Sequence, residues 1–178
     1  MVSNKPRLYV AQYAQGGDES VRPRRFHWAL LVCPKSDNGP TYRYHVINTL
    51  QPGVAGQRWR FEARPLANFS TQLLLTRMLI AKIDRPADLG RSLESLRLVQ
   101  GDPAWTCRVW VSEAIQQLDQ DGILGHSKIT DWARIEQACR EYAESKYAVR
   151  RWSDEPNGRW IAGQTATYDL LQGKEVIR

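Results

Sequence analysis

The chain has 178 residues, enough for one domain with a real core, and its 42% hydrophobic and 25% charged residues exclude a disordered or fibrous chain. A net charge of +6 admits a polyanionic partner such as tRNA, or an acidic lipid surface, without requiring one. A membrane helix is excluded as well: no stretch has the roughly 18 apolar residues a span needs, and the richest, LLLTRMLIAKI, is interrupted by Arg77 and Lys82.

Taken in chain order, RLYVAQYAQ (7–15) is aromatic and β-branched and predicts a strand. GGDESVRPRR is a loop made basic by Arg22, Arg24 and Arg25. FHWALLVCP (26–34) is a second strand, and KSDNGP is a turn, so residues 42–50 return as a hairpin. In that return strand Tyr42, Tyr44 and Val46 share one face, and Arg43, His45 and Ile47 the other. After the loop QPGVAGQ, RWRFEAR alternates as a half-exposed strand. Residues 73–83 read as strand or helix; the shortness of the aliphatic run, stopped by Asp84-Arg85-Pro86, favours a strand. ADLGRSLESL is a short helix, and Asp102-Pro103 announces another over 105–118, with Val109, Val111, Ala114, Ile115 and Leu118 on its apolar side. DQDGILG ends it. A last helix is predicted over 130–148, with Thr130 as N-cap and Trp132, Ile135, Ala138, Cys139 and Tyr142 inward. An irregular tail follows from about 149. Four or so antiparallel strands followed by helices predict an α+β fold, an antiparallel sheet against helices in one domain over 1–178.

MVSNKPR is polar with no apolar run behind it, so no secretory signal is expected. The cysteines, Cys33, Cys107 and Cys139, are odd in number. Together these predict reduced thiols in a cytoplasmic protein. No CxxC or HxxxH pair points to a metal site, and no cofactor is expected.

Cys107 falls at a helix start, where free backbone N–H groups and the helix dipole favour a thiolate and can also hold an oxyanion. Arg108 adds positive charge beside it. His27, on a strand, is placed to take the thiol proton, and a polar group behind it would hold its tautomer. With 35–41 as the turn, residues whose numbers add to about 72–76 face one another, which allows His27 and His45 to be neighbours. The expectation is spatial: His27 within hydrogen-bonding reach of Cys107, with His45 behind it. Each residue also has a plainer role. Cys139 fits a core position, Cys33 shares a strand face with His27, Ala29 and Leu31, and His126 sits in a loop as a solvated side chain. Trp28, Tyr44, Trp59 and Trp105 suit a pocket wall or simple core packing.

The stretches HWALLV, YHV and CRVWV resemble the permuted branch of the papain-like (NlpC-type) thiol enzymes, which includes the lecithin:retinol acyltransferase-like proteins and the PPPDE-type peptidases. In that branch the histidine precedes the cysteine, as here. The resemblance implies a permuted papain-like fold, with the base on His27, the orienting residue on His45 and the nucleophile on Cys107. Asn48 and Glu62 stand as rivals for the third position. TCRVWV has Thr106 where the acyltransferase-like group carries Asn and Trp110 where it carries Phe, so the hydrogen bond of that Asn is left unassigned. No C-terminal hydrophobic anchor appears, which weakens the analogy to acyl transfer at a membrane. The chain also resembles small fungal proteins of unassigned function that combine HWALL, W-x-F and CR-x-WV, over roughly Arg7 to Leu118.

A site of this kind forms a thioester from an ester, thioester or amide, and water or an amine resolves it. Acyl transfer through Cys107 is favoured, extending to peptide-bond formation from aminoacyl-tRNA, with Arg22, Arg24 and Arg25 and the pair Arg150-Arg151 meeting phosphates. The alternatives are a thiol hydrolase (amidase, esterase or peptidase) and a non-catalytic binding module of the same fold. Trp28, Trp105, Arg108, Arg24 and Arg25 are the substrate-binding candidates.

Overall fold

The computed structural model of the chain describes residues 4–14, 26–36, 39–67, 73–149, 151 and 164–177. Its strands and helices run β1 (Arg7–Ala14), β2 (Phe26–Cys33), β3 (Thr41–Leu50), β4 (Gln57–Leu66), β5 (Leu74–Ile83), α1 (Pro86–Glu94), α2 (Cys107–Gln120), β6 (Leu124–Lys128), α3 (Trp132–Ala148), β7 (Ala166–Asp169) and β8 (Lys174–Ile177). This is the α+β architecture expected from the alternation of the first half and the 3.6-residue pattern of the second.

The strands form one sheet in the order β4-β3-β2-β1-β5-β7-β8, with β6 also paired to β5. The sheet is mixed, not wholly antiparallel as expected, because β7 runs parallel to β5. β7 and β8 lie in the stretch expected to be irregular: ATYD and KEVI are four residues each, too short for periodicity to register. β6 was also expected to be loop; it contains His126, which is solvent-exposed as anticipated. Thr130 is not the N-cap of the last helix. Asp131 is, its carboxylate accepting from the Arg134 amide at 3.3 Å.

Strand alternation divides the side chains between two apolar clusters. On one face Leu8, Val10, Phe26, Trp28, Leu30, Val46, Met78 and Ile80 pack against residues of all three helices, among them Leu89, Leu93, Trp110, Ile115, Cys139 and Ala143. On the other face Tyr9, Ala11, Tyr13, Ala29, Leu31, Cys33, Leu74 and Leu79 form a smaller cluster. Cys33 and Cys139 are fully or almost fully buried, as core residues. No helix among the described residues is long and apolar enough to cross a membrane.

The β2–β3 hairpin has the expected register, but only in part. Leu30↔Tyr44, Leu31↔Arg43 and Val32↔Tyr42 are paired, and the ladder then stops, while β2 stays paired with β1 as far as Ala14↔Phe26. β3 leaves β2 and continues with β4 through to Leu50↔Gln57. A wedge therefore opens between β2 and β3 beyond Leu30, and the candidate site lies there.

Candidate functional site

The N-terminus of α2 packs against β2 and β3 where they part. Cys107 is the first residue of that helix and is 8% exposed. Its Sγ accepts a hydrogen bond at 3.5 Å from the backbone N–H of Trp28, an amide that the ended ladder leaves without a strand partner on that side. The preceding loop is clamped to the edge of the sheet: the Gln100 side-chain amide accepts from the Trp59 N–H at 2.8 Å and donates to the Trp59 C=O at 2.9 Å, as a neighbouring strand would. Trp105 packs edge-on against Trp59 at 5.5 Å and donates its indole N–H to Glu113. Thr106, the N-cap, makes no side-chain capping bond, so the first-turn amides of α2 are not consumed by it.

His27 lies on the strand face opposite Trp28. Its Nε2 is 2.7 Å from His45 Nδ1, and His45 Nε2 is 3.1 Å from Glu62 Oε1. His45 and Glu62 are direct cross-strand partners on β3 and β4. His45 is thus behind His27 as expected, and Glu62, a rival for the third position, stands behind His45 as a further member. Asn48 faces Trp59 in the register, three residues along β3 from His45, and takes no part. The thiol meets the residue next to His27, and among the described residues no hydrogen bond joins Cys107 to the His27 ring; the direct contact expected between them is replaced by the Trp28 amide.

The bonding order fixes the tautomers. The hydrogen bond from His45 is the largest cause that holds the Glu62 carboxyl below the usual carboxylate range, so Glu62 is ionised and only accepts. His45 must then carry its proton on Nε2, which leaves Nδ1 as an acceptor. His27 must donate to it through Nε2, which leaves the His27 Nδ1 lone pair free. The carboxylate, two rings away, selects which nitrogen of His27 is basic.

Burial governs the charge states. Burial first, then the neighbouring His45 and Arg43, push the His27 imidazolium down to about 4 from 6.5. Burial also lowers His45, against the pull of Glu62. The Cys107 thiol is pushed up by burial, while the N–H groups of Trp28, Arg108 and Cys107 and the Arg108 charge act in the opposite direction. The helix start therefore does not yield the lowered thiol expected of it: desolvation outweighs the amides and the dipole. At neutral pH the resting site holds a neutral thiol and a neutral imidazole, not an ion pair.

The substrate-binding candidates are only partly gathered here. Trp28 is buried against Trp132, with the Arg140 guanidinium 5.8 Å from its ring, and Trp105 is buried as described; both belong to the buried cluster that contains Cys107. Arg108 donates from Nη1 to both carboxylate oxygens of Glu136, at 2.8 and 2.9 Å, tying α2 to α3. Arg22, Arg24, Arg25 and Arg150 lie outside the described residues. Arg151 is buried and donates to the Gln164 carbonyl, so it is not the exposed phosphate contact expected. Sequence reading passed over Arg43 and Tyr13, which flank the two histidines. The signal for Arg43 was available, since it shares the His45 face of its strand. Tyr13 was visible only through the β1–β2 register, which pairs it with His27.

Residues 5–177 match DUF6914, a family of unknown function. No curated protein and no solved structure matches the chain.

Proposed function

The chain belongs to the DUF6914 family, and for it we propose cysteine-dependent acyl transfer through a thioester on Cys107, with His27 as base and His45 and Glu62 as its positioning residues. The observation that carries this reading is the chain of hydrogen bonds from Glu62 through His45 to His27, which ends on a free Nδ1 one residue from the amide that holds the Cys107 thiol. Two neutral histidines in series with a carboxylate are a costly way to fill a part-buried gap if only packing is needed, since each ring must be desolvated.

The proposed chemistry starts from a neutral thiol resting on the Trp28 amide. When a donor carbonyl enters, Sγ leaves the Trp28 N–H and meets His27 Nδ1 through the gap where β2 and β3 part. His27 takes the S–H proton while the sulfur bonds to the carbonyl carbon. The carbonyl oxygen becomes an oxyanion, and the Trp28 N–H released by the sulfur, with the amides that open α2, lies closest to it. Collapse breaks the bond to the leaving group, which departs with the proton from His27. In the second half an amine or water gives its proton to His27, attacks the thioester carbon and restores the thiol. The imidazolium formed in each half is stabilised by Glu62 through His45. His-before-Cys order, a helix-start cysteine and a strand histidine backed by a second histidine together support the permuted papain-like reading of the fold, and the whole described chain then makes up its single domain.

Transfer is favoured over hydrolysis by the charge of the surrounding face, which suits an anionic donor or acceptor. Peptide-bond formation from aminoacyl-tRNA belongs to this reading; its phosphate contacts would come from the exposed Arg58, Arg60 and Arg64 of β4. The test is the fate of the thioester. With a 4-nitrophenyl acyl ester as donor and a primary amine added in increasing amounts, a transferase diverts product from the free acid to the amide in a saturable way. Formation of free acid alone at all amine concentrations assigns a hydrolase. RNA that co-purifies with the protein and leaves as salt rises supports the tRNA form, and its absence removes that form alone.

A further inference from the structure

The face of the sheet that carries the two histidines is rich in cations. Strand alternation and the β3–β4 register put Arg43, His45 and Ile47 opposite Arg64, Glu62 and Arg60, with Arg58 opposite Thr49, all on one side. Four arginines there answer one carboxylate, Glu62, and its contacts to Arg43 and Arg64 are long, at 3.5 Å each.

Within this field two buried donors have no acceptor. The Tyr13 hydroxyl and the Arg43 Nε–H are both shielded from solvent and neither has an acceptor, although the Arg43 side chain reaches the Tyr13 oxygen as a donor. They are close together: the Arg43 guanidinium carbon is 5.5 Å from the centre of the Tyr13 ring. They are also beside the base, since Tyr13 is the cross-strand partner of His27 and the two rings are 6.2 Å apart. Burial pushes the Tyr13 phenol up to about 12, so it remains a donor at neutral pH. Leaving such donors unmet is costly, and an incoming oxygen anion would remove that cost. The Arg43 side chain as a whole is 20% exposed, so the subsite borders solvent.

We propose that Tyr13 and Arg43 form an anion subsite that receives the distal carboxylate of a short dicarboxylic acyl donor, whose other carbonyl is carried to Cys107. This rests on the thioester reading above. The subsite sits one ring beyond His27, on the histidine face of the sheet, so a donor held there reaches the sulfur only through the gap where β2 and β3 part. Recognition of the carboxylate would then select the donor, while the His27–His45–Glu62 chain performs the proton transfer common to all donors.

Two five-carbon donors test this: the mono-4-nitrophenyl ester of glutaric acid, which has a free carboxylate, and the uncharged 4-nitrophenyl ester of pentanoic acid. The readout is the ratio of their Cys107 acylation rates, which cancels any effect of Arg43 on His27 itself. The expected ratio in the native protein is about tenfold or more in favour of the charged donor. Arg43→Gln is expected to bring it close to one, and Tyr13→Phe to an intermediate value. A ratio near one in the native protein, or one that survives Arg43→Gln, overturns the subsite and leaves the two donors to an internal water. Binding of free glutarate to the Cys107→Ala protein, followed by calorimetry, separates this proposal from the thioester reading. Saturable binding lost in Cys107→Ala/Arg43→Gln upholds the subsite even if no ester acylates the protein; no binding overturns it even if acylation occurs.

Discussion

The two halves of the β2–β3 pair begin with the same kind of sequence and end differently. From Leu30 to Val32 the strands form an ordinary antiparallel ladder with Tyr42 to Tyr44, and alternation sends Leu30 to the helix-covered core and Leu31 to the opposite cluster. From Leu30 back to Phe26 the same strand keeps β1 and loses β3. There the backbone amide of Trp28 turns to a thiol, and the space on the other face is bridged by two imidazoles. A ladder satisfies its own amides and so has nothing to offer a ligand; chemistry becomes possible where pairing stops and side chains must take over.

The sharpest break between the halves is expected from paired substitutions. His27→Ala, in the splayed half, should lower the Cys107 acylation rate by about 10²–10⁴-fold with little loss of stability, measured by nitrophenolate release alongside denaturant unfolding. Leu30→Ala, in the paired half, should do the reverse: about 2–5 kcal/mol of stability lost, with acylation by the folded protein within a few-fold of native. If both substitutions act through stability alone, the halves do not differ in function.

Acid should act on the splayed half. Above pH 6.5 His27 is neutral folded and unfolded. As pH falls from 6.5 towards about 4, the unfolded chain binds a proton that the folded protein refuses, so stability decreases across that window, by about 3 kcal/mol at most. Urea unfolding at stepped pH should show this slope in the native protein and a shallower one in His27→Phe. The acid limb of the acylation rate should likewise fall near pH 4 to 5; a limb near the ordinary histidine value of 6.5 would contradict a buried, neutral base.

A smaller effect is expected from Glu62→Gln, about 10–100-fold in acylation rate. The amide can still accept from His45 but no longer favours the imidazolium, so its acid limb should move to lower pH, whereas a residue that served packing alone would leave that limb in place.

These contrasts mark what was legible beforehand. Alternation placed Arg43 and His45 on one face, and the turn at 35–41 brought His27 within reach of His45. Where the strands part was not legible, because it depends on the seating of α2, whose N-terminus is held by Gln100 and Trp105 against the edge strand. The thiol was misread for the same reason. A helix start argues for a lowered value, but the depth to which Cys107 is buried is a tertiary fact, and burial prevails. Glu62 was visible as a rival candidate, yet its position behind His45 needed the β3–β4 register. β7 and β8 were missed because four-residue strands in a mixed sheet take their stability from neighbours rather than from their own pattern.

The central claim is that Cys107 carries an acyl group with His27 as its base. Mass spectrometry of the intact protein after brief exposure to a 4-nitrophenyl acyl ester tests it directly. The account predicts one added acyl mass that maps to Cys107, absent in Cys107→Ala, formed far more slowly in His27→Ala, and discharged by hydroxylamine as a thioester should be. Acylation spread over lysines, or an adduct that persists in Cys107→Ala, would contradict it.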